Sequence, residues 1–454
     1  MGHRVTSSDI PENGEQLPKS GLLKGAMLVC GAVAAVGLVL SIIIFLTHDA
    51  GESPSKWKGS YAFSWLFAIF YFFTIALGGC FWTLLHNVSN SGWGTSVRRI
   101  MENVGFVFPF MFVFAIPLLF PSVQTYLYEW MTEHRTAIEF AQEHELSEKT
   151  AVAGLEGRAG KHDGLLVAKN WYLSLGSWHL RFLLFFLGLG FVIWKLRKLS
   201  VDQDTCSAPG VERLFKARSM SSWGIAIFGV TLTFIAVDWV MSLDYTWFST
   251  MWGVYVFAGS ALNSMAVIVI TSILLRKAGY LKKVVGVEHD HIMGKLMFAF
   301  TIFWAYISFS QFFLYWYANV TEETRYFLLR NTENWNLLSY VLVFGHFALP
   351  FLLMLRSDIK KKNNFMLAIA GYLLFMHFLD VYHMIIPERG PSVGNIVDHD
   401  PKLWLDLSGQ WVGDIFAFIV VGCGFVFFLL RNITSVSLYP HRDPRILESA
   451  NVHN

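Results

Sequence analysis

The chain has 454 residues, of which 54% are hydrophobic, 16% aromatic and 15% charged, with a formal net charge of +2. Soluble globular domains carry about 25% charged residues, so a soluble multidomain enzyme is excluded first, and most of this surface must face lipid. The small net charge supplies no basic tract for a phosphate backbone, which excludes nucleic-acid binding.

A polar tail, residues 1–24, precedes the first apolar run and carries no small-residue cleavage pattern, so no signal peptide is expected. About 20 apolar residues cross a hydrocarbon core about 30 Å thick. Ten such stretches follow: Gly25 to Leu46, Ser60 to Leu85, Val104 to Leu119, Trp178 to Leu196, Trp223 to Leu243, Met251 to Leu275, Leu296 to Tyr317, Trp335 to Leu355, Phe365 to Ile386 and Trp411 to Leu430. The third is short and contains Pro109 and Pro117, which a membrane helix tolerates where neighbours re-satisfy the freed carbonyls, so it is expected to be buried. Between the third and fourth lies a long outer loop at about 122–177. In it, Leu127, Trp130, Met131, His134 and Ile138 recur at helical spacing within an amphipathic stretch from Tyr126 to Glu145. A second polar tail, residues 431–454, ends the chain, and both tails have the composition of flexible segments.

The expected fold is an all-α integral membrane protein of about ten transmembrane helices. Spans two to five and six to nine each make a four-helix bundle, with one extra helix at each end. An even number of spans puts both termini on one side, and Lys and Arg concentrate in the tails and loops of that side, which predicts cytoplasmic termini. Cys30, Cys80, Cys206 and Cys423 are far apart and form no CxxC pair, so no cluster, zinc ribbon or disulfide framework is expected from this chain alone.

An ionisable side chain in hydrocarbon costs at least about 2.5–3.5 kcal/mol, so those inside spans face the bundle and have a partner or a role. Counted at 1.5 Å per residue, Asp238, Asp380 and Gln311 fall at one depth, about 22 Å from the termini-bearing side. His377, Asp380 and His383 recur every three residues, each step turning the helix by about 60°, so they share one face. A carboxylate flanked by imidazoles can relay a proton; equally, imidazoles can neutralise an acid that locks helices together, and the spacing leaves both open. His346 sits mid-span in the eighth stretch. Arg181 stays charged, so it needs a carboxylate, and Asp238 on the next antiparallel span is the natural partner. Asp244 and Asp414 lie at span ends, within reach of water. The aromatic run Phe303 to Tyr317 could line a flat ligand such as a quinone, with Trp304, Tyr306, Gln311 and Tyr315 as lining residues, although packing and an interfacial belt also account for it. No span carries the paired histidines of a membrane haem, and a haem-copper site is absent. A secondary transporter remains an alternative.

Three segments, HDHIMGKLMFAFTIFWAYISFSQFFLYWYANVTEE (His289 to Glu323), SLDYTWFSTMWGVYVFAG (Ser242 to Gly259) and FLDVYHMIIPE (Phe378 to Glu388), resemble the F membrane subunit of bacterial alternative complex III. That assembly is a quinol:electron-acceptor oxidoreductase, and the subunit is related to polysulfide-reductase/NrfD-type membrane proteins. The resemblance implies an inner-membrane subunit with no redox cofactor of its own. It also implies a homologous neighbour that binds quinol and partner subunits that carry iron-sulfur clusters and haem c. Asp380 with His377 and His383, and Asp238, stand where polar groups of proton half-channels are expected.

Overall fold

A computed structural model describes residues 4–47, 56–131, 166, 168–205, 210–331, 333–389 and 410–453. His134 and Ile138 of the amphipathic stretch, like Cys206, lie outside the described residues. Ten helices are long and apolar enough to cross a membrane: α1 Gly21–Leu46, α2 Trp57–Ser89, α3 Thr95–Leu119, α4 Leu175–Thr205, α5 Glu212–Leu243, α6 Trp252–Lys277, α7 Val287–Ala318, α8 Trp335–Leu355, α9 Asn363–Glu388 and α10 Trp411–Thr434. No strand occurs among the described residues. The chain is an all-α, multi-pass membrane protein.

Helices α2 to α5 and α6 to α9, the two expected bundles, share one continuous hydrophobic core whose centre is α2 packed along α6, and α1 reaches the molecule chiefly through α10, which lies on α2. Accordingly α2 and α6 are the most buried spans, whereas α1 is mostly lipid-facing. Small residues let the backbones close: a Cβ on Gly78 would stand 2.0 Å from the Ser260 carbonyl oxygen, and one on Gly79 would stand 2.5 Å from the Gly105 nitrogen.

The third span departs from its expected start. It begins at Thr95, nine residues before Val104, and Thr95–Gly105 is buried throughout despite Arg98, Arg99 and Glu102. Its helix breaks at Phe106 and Val107, restarts with Pro109 in the first turn of Phe108–Ala115, and ends in a 3-10 turn that holds Pro117. Both prolines thus stand where a missing N–H costs little.

The tails are docked rather than loose. Val5 and Asn451 exchange two hydrogen bonds of 2.9 Å, Leu438 donates to the Glu15 carbonyl at 2.7 Å, and the helix Ile446–Ala450 packs on the start of α3. We call the side bearing both tails the terminal face.

Candidate functional site

The second bundle closes around Asp380, which is 1% exposed. Tyr255 of α6 donates its hydroxyl hydrogen to Oδ1, and Trp304 Nε1 of α7 donates to Oδ2 at 3.1 Å. His377, one turn back on α9, holds Nδ1 3.9 Å from Oδ2. Its Nε2 meets Thr74 Oγ1 of α2 at 2.9 Å. The single hydroxyl hydrogen of Thr74 goes to the Tyr71 carbonyl at 2.8 Å. Nε2 is therefore the donor to Thr74, and Nδ1 keeps a lone pair on the side of Asp380 with no other partner. His346 of α8 stacks on Trp304 at 4.0 Å between ring centroids, fully buried, with neither ring nitrogen bonded.

Among the described residues Asp380 differs from every other buried carboxylate. Glu102, Asp238, Asp244, Asp290, Glu388, Asp414 and Asp443 all lie within 3.6 Å of an arginine nitrogen. Asp380 has neutral hydrogen-bond donors and an imidazole instead. Asp380 is thus the buried carboxylate that no arginine counter-charge accompanies among the described residues.

Asp238 shows the contrast. Arg181 of α4 grips it bidentately, Nε to Oδ2 at 2.8 Å and Nη2 to Oδ1 at 3.0 Å, while Tyr172 donates to Oδ1 at 2.7 Å. Arg181 also donates to the Tyr172 carbonyl and to Ser177, so its fork is filled. Burial, then the nearby Asp238 charge, raises the Tyr172 phenol well above its usual range, so it remains a donor. Both Asp238 and His346 sit in π-turns, Ala236–Val240 and Leu342–Ala348. Such bulges frequently mark functional positions in helices.

Other expected residues scatter. Two 60° steps leave His383 about 120° around α9 from His377, where its Nε2 meets Ser339 Oγ of α8 at 3.1 Å rather than Asp380. Gln311 accepts from Ser249 Oγ at 2.7 Å and joins a different feature, a cleft of about 250 Å³ at the far end of α7, lined also by Phe248, Met251, Leu314 and Tyr315. Of the four residues expected to line a quinone site, Gln311 and Tyr315 share that cleft, Trp304 belongs to Asp380, and Tyr306 is 63% exposed on the outer surface of α7. Asp244 and Asp414 are buried, not half-solvated. Asp414 is held by Arg389, Ser64 and Tyr382, and Asp244 by Thr246 beside Arg325.

Sequence reading passed over Tyr255 and Thr74, because a tyrosine among many aromatics and a helical threonine carry no signal of their own. It also passed over the terminal-face cluster, in which Arg98 pairs with Glu102 and Asp443, Arg99 with Asp204, and Arg197 with Asn103. Compared with protein-family models and with curated proteins, the chain has no match.

Proposed function

We propose that this chain is an integral membrane subunit of a respiratory quinol:electron-acceptor oxidoreductase of the alternative complex III type, and that its second bundle handles protons at Asp380. One observation carries the reading. The three segments on which the resemblance rests are separate in sequence, yet each supplies one member of the buried site: Tyr255, Trp304 and Asp380.

Asn263 Oδ1, Ser264 Oγ and Ser272 Oγ on α6 are also buried with no hydrogen-bond partner among the described residues, but they point to different faces of the helix and do not continue the Asp380 site. In this reading Tyr255 passes protons on one side of Asp380 and His377 on the other, while the Arg181–Asp238 pair stays charged and structural. The electron carriers, iron-sulfur clusters and haem c, belong to partner subunits, and quinol to a homologous neighbour. The membrane is the bacterial inner membrane, with the terminal face cytoplasmic by its lysine and arginine excess.

The test is Asp380→Asn in the intact complex reconstituted in liposomes. Assembly with the cytochrome and iron-sulfur subunits is expected to persist while proton movement per electron falls. Unchanged proton movement would reject the relay, and purification of the chain without redox partners would reject the complex. A second reading, quinone held by this chain, is favoured by the Gln311–Tyr315 cleft. A quinone photolabel mapping to residues 248–251 or 311–318 would support it, and labelling confined to a neighbour would remove it.

A further inference from the structure

Lys360 is a buried cation with no carboxylate partner among the described residues. It lies in the turn helix Ser357–Lys360 between α8 and α9, at the terminal face, and is 6% exposed. Its stem crosses Gly294 of α7, where a Cβ would meet Lys360 Cγ at 2.9 Å, so the path depends on a residue without a side chain. Its ammonium donates to the Met354 carbonyl at 2.7 Å and stands 5.2 Å from the Phe298 ring centroid. Burial, then the charge of neighbouring Lys295, lowers its proton affinity from the usual lysine range. Neither Lys295 nor Lys360 has a carboxylate within salt-bridge distance among the described residues, although the nearby Lys361 pairs with Glu288 and Arg356 with Asp358.

A lysine that only obeyed the positive-inside bias would extend into water. Lys360 does the opposite, spending two of its interactions on a carbonyl and a ring face and leaving ammonium donors unused, while its stem lies on Gly294, the residue directly before exposed Lys295 of α7. Directly beneath, the seam between α7 and α8 is apolar. Phe298 stacks on Phe351 at 5.4 Å, and Ile302, Leu352 and Leu355 are exposed along it. We infer that Lys295 and Lys360 form a headgroup site for an anionic phospholipid, whose phosphodiester bridges the two ammonium groups while its acyl chains lie along the α7–α8 seam. Inorganic phosphate shares the charge chemistry but gains nothing from the apolar seam, so the lipid is the occupant.

The experiment uses the purified, delipidated full-length protein in its assembly, mixed with phosphatidylglycerol or phosphatidylcholine of identical chains and examined by native mass spectrometry. Two lysines at a membrane surface are worth on the order of tenfold preference or more for the anionic lipid. That preference is expected in the parent and in Lys360→Arg, and is expected to vanish in the double variant Lys295→Gln, Lys360→Gln. Equal retention of both lipids by the parent, or an unchanged preference in the double variant, would overturn the site. Displacement of bound phosphatidylglycerol by millimolar inorganic phosphate would overturn the lipid assignment.

Discussion

At the scale of single residues, two buried aspartates expected at one depth have different partners. Asp238 is clamped by Arg181, and Asp380 receives only Tyr255 and Trp304. Tyr255→Phe removes one donor while keeping the ring, so it is expected to slow proton-coupled turnover by about a hundredfold, the lower end for losing a proton-transfer group. Electron transfer from quinol analogues with uncoupler present is expected to change much less, and equal losses with and without uncoupler would count against the relay. Arg181→Gln should act on stability instead. Breaking a buried pair costs about 3–5 kcal/mol because the remaining charge is unpaired. The drop in thermal midpoint of the purified protein should be largely reversed by adding Asp238→Asn. Of these contacts, sequence spacing made the Arg181–Asp238 pair legible, since adjacent antiparallel spans touch. Tyr255 and Thr74 were not, because they arrive from helices distant in the chain.

At the scale of elements, glycines decide how closely spans approach. Gly78→Val would drive a side chain into the Ser260 carbonyl and separate α2 from α6, so loss of folded protein is expected on purification. Gly229→Ala on α5 meets nothing within 4 Å and should be neutral, which makes it the control. The antiparallel packing of α1 on α10 has its own check. Gly31 faces Phe427, Gly37 faces Val420, and Cys30 and Cys423, both free, lie near each other on the two helices. A lipid-soluble oxidant is expected to join these two cysteines in a disulfide, detected as a linked peptide pair, and Cys423→Ser should abolish it. Spans were legible from hydropathy alone, but the extra turns of α3 were not. Arg98, Arg99 and Glu102 have the composition of a loop, and only Asp443 and Asp204, brought from elsewhere, make their burial affordable.

At the scale of the molecule, the tails seal one face. Asp443 receives Arg98 at 2.7 Å and Arg445 at 2.9 Å. Burial alone would raise its carboxyl, but the two arginines outweigh burial and hold it below the ordinary aspartate value. A carboxyl lowered on folding contributes stability above its unfolded pKa, about 3.9, and loses it as pH falls through the lower folded value. Docking of the C-terminal segment should therefore resist proteolysis from neutral pH down to about 4 and weaken only below that. Asp443→Asn should expose the segment to protease already at pH 7.

By itself the sequence determined the membrane class, the ten spans and the side on which cations gather, because these follow from local composition and length. It also identified the charges that must be satisfied inside hydrocarbon. Which of those carboxylates meets an arginine and which meets only neutral donors was decided only by tertiary structure. That difference depends on whether an arginine or a phenol from a remote helix reaches the carboxylate, and hydrophobic periodicity carries no record of such contacts. The same holds for the tails, whose polar composition reads as loose until each supplies the other's hydrogen bonds.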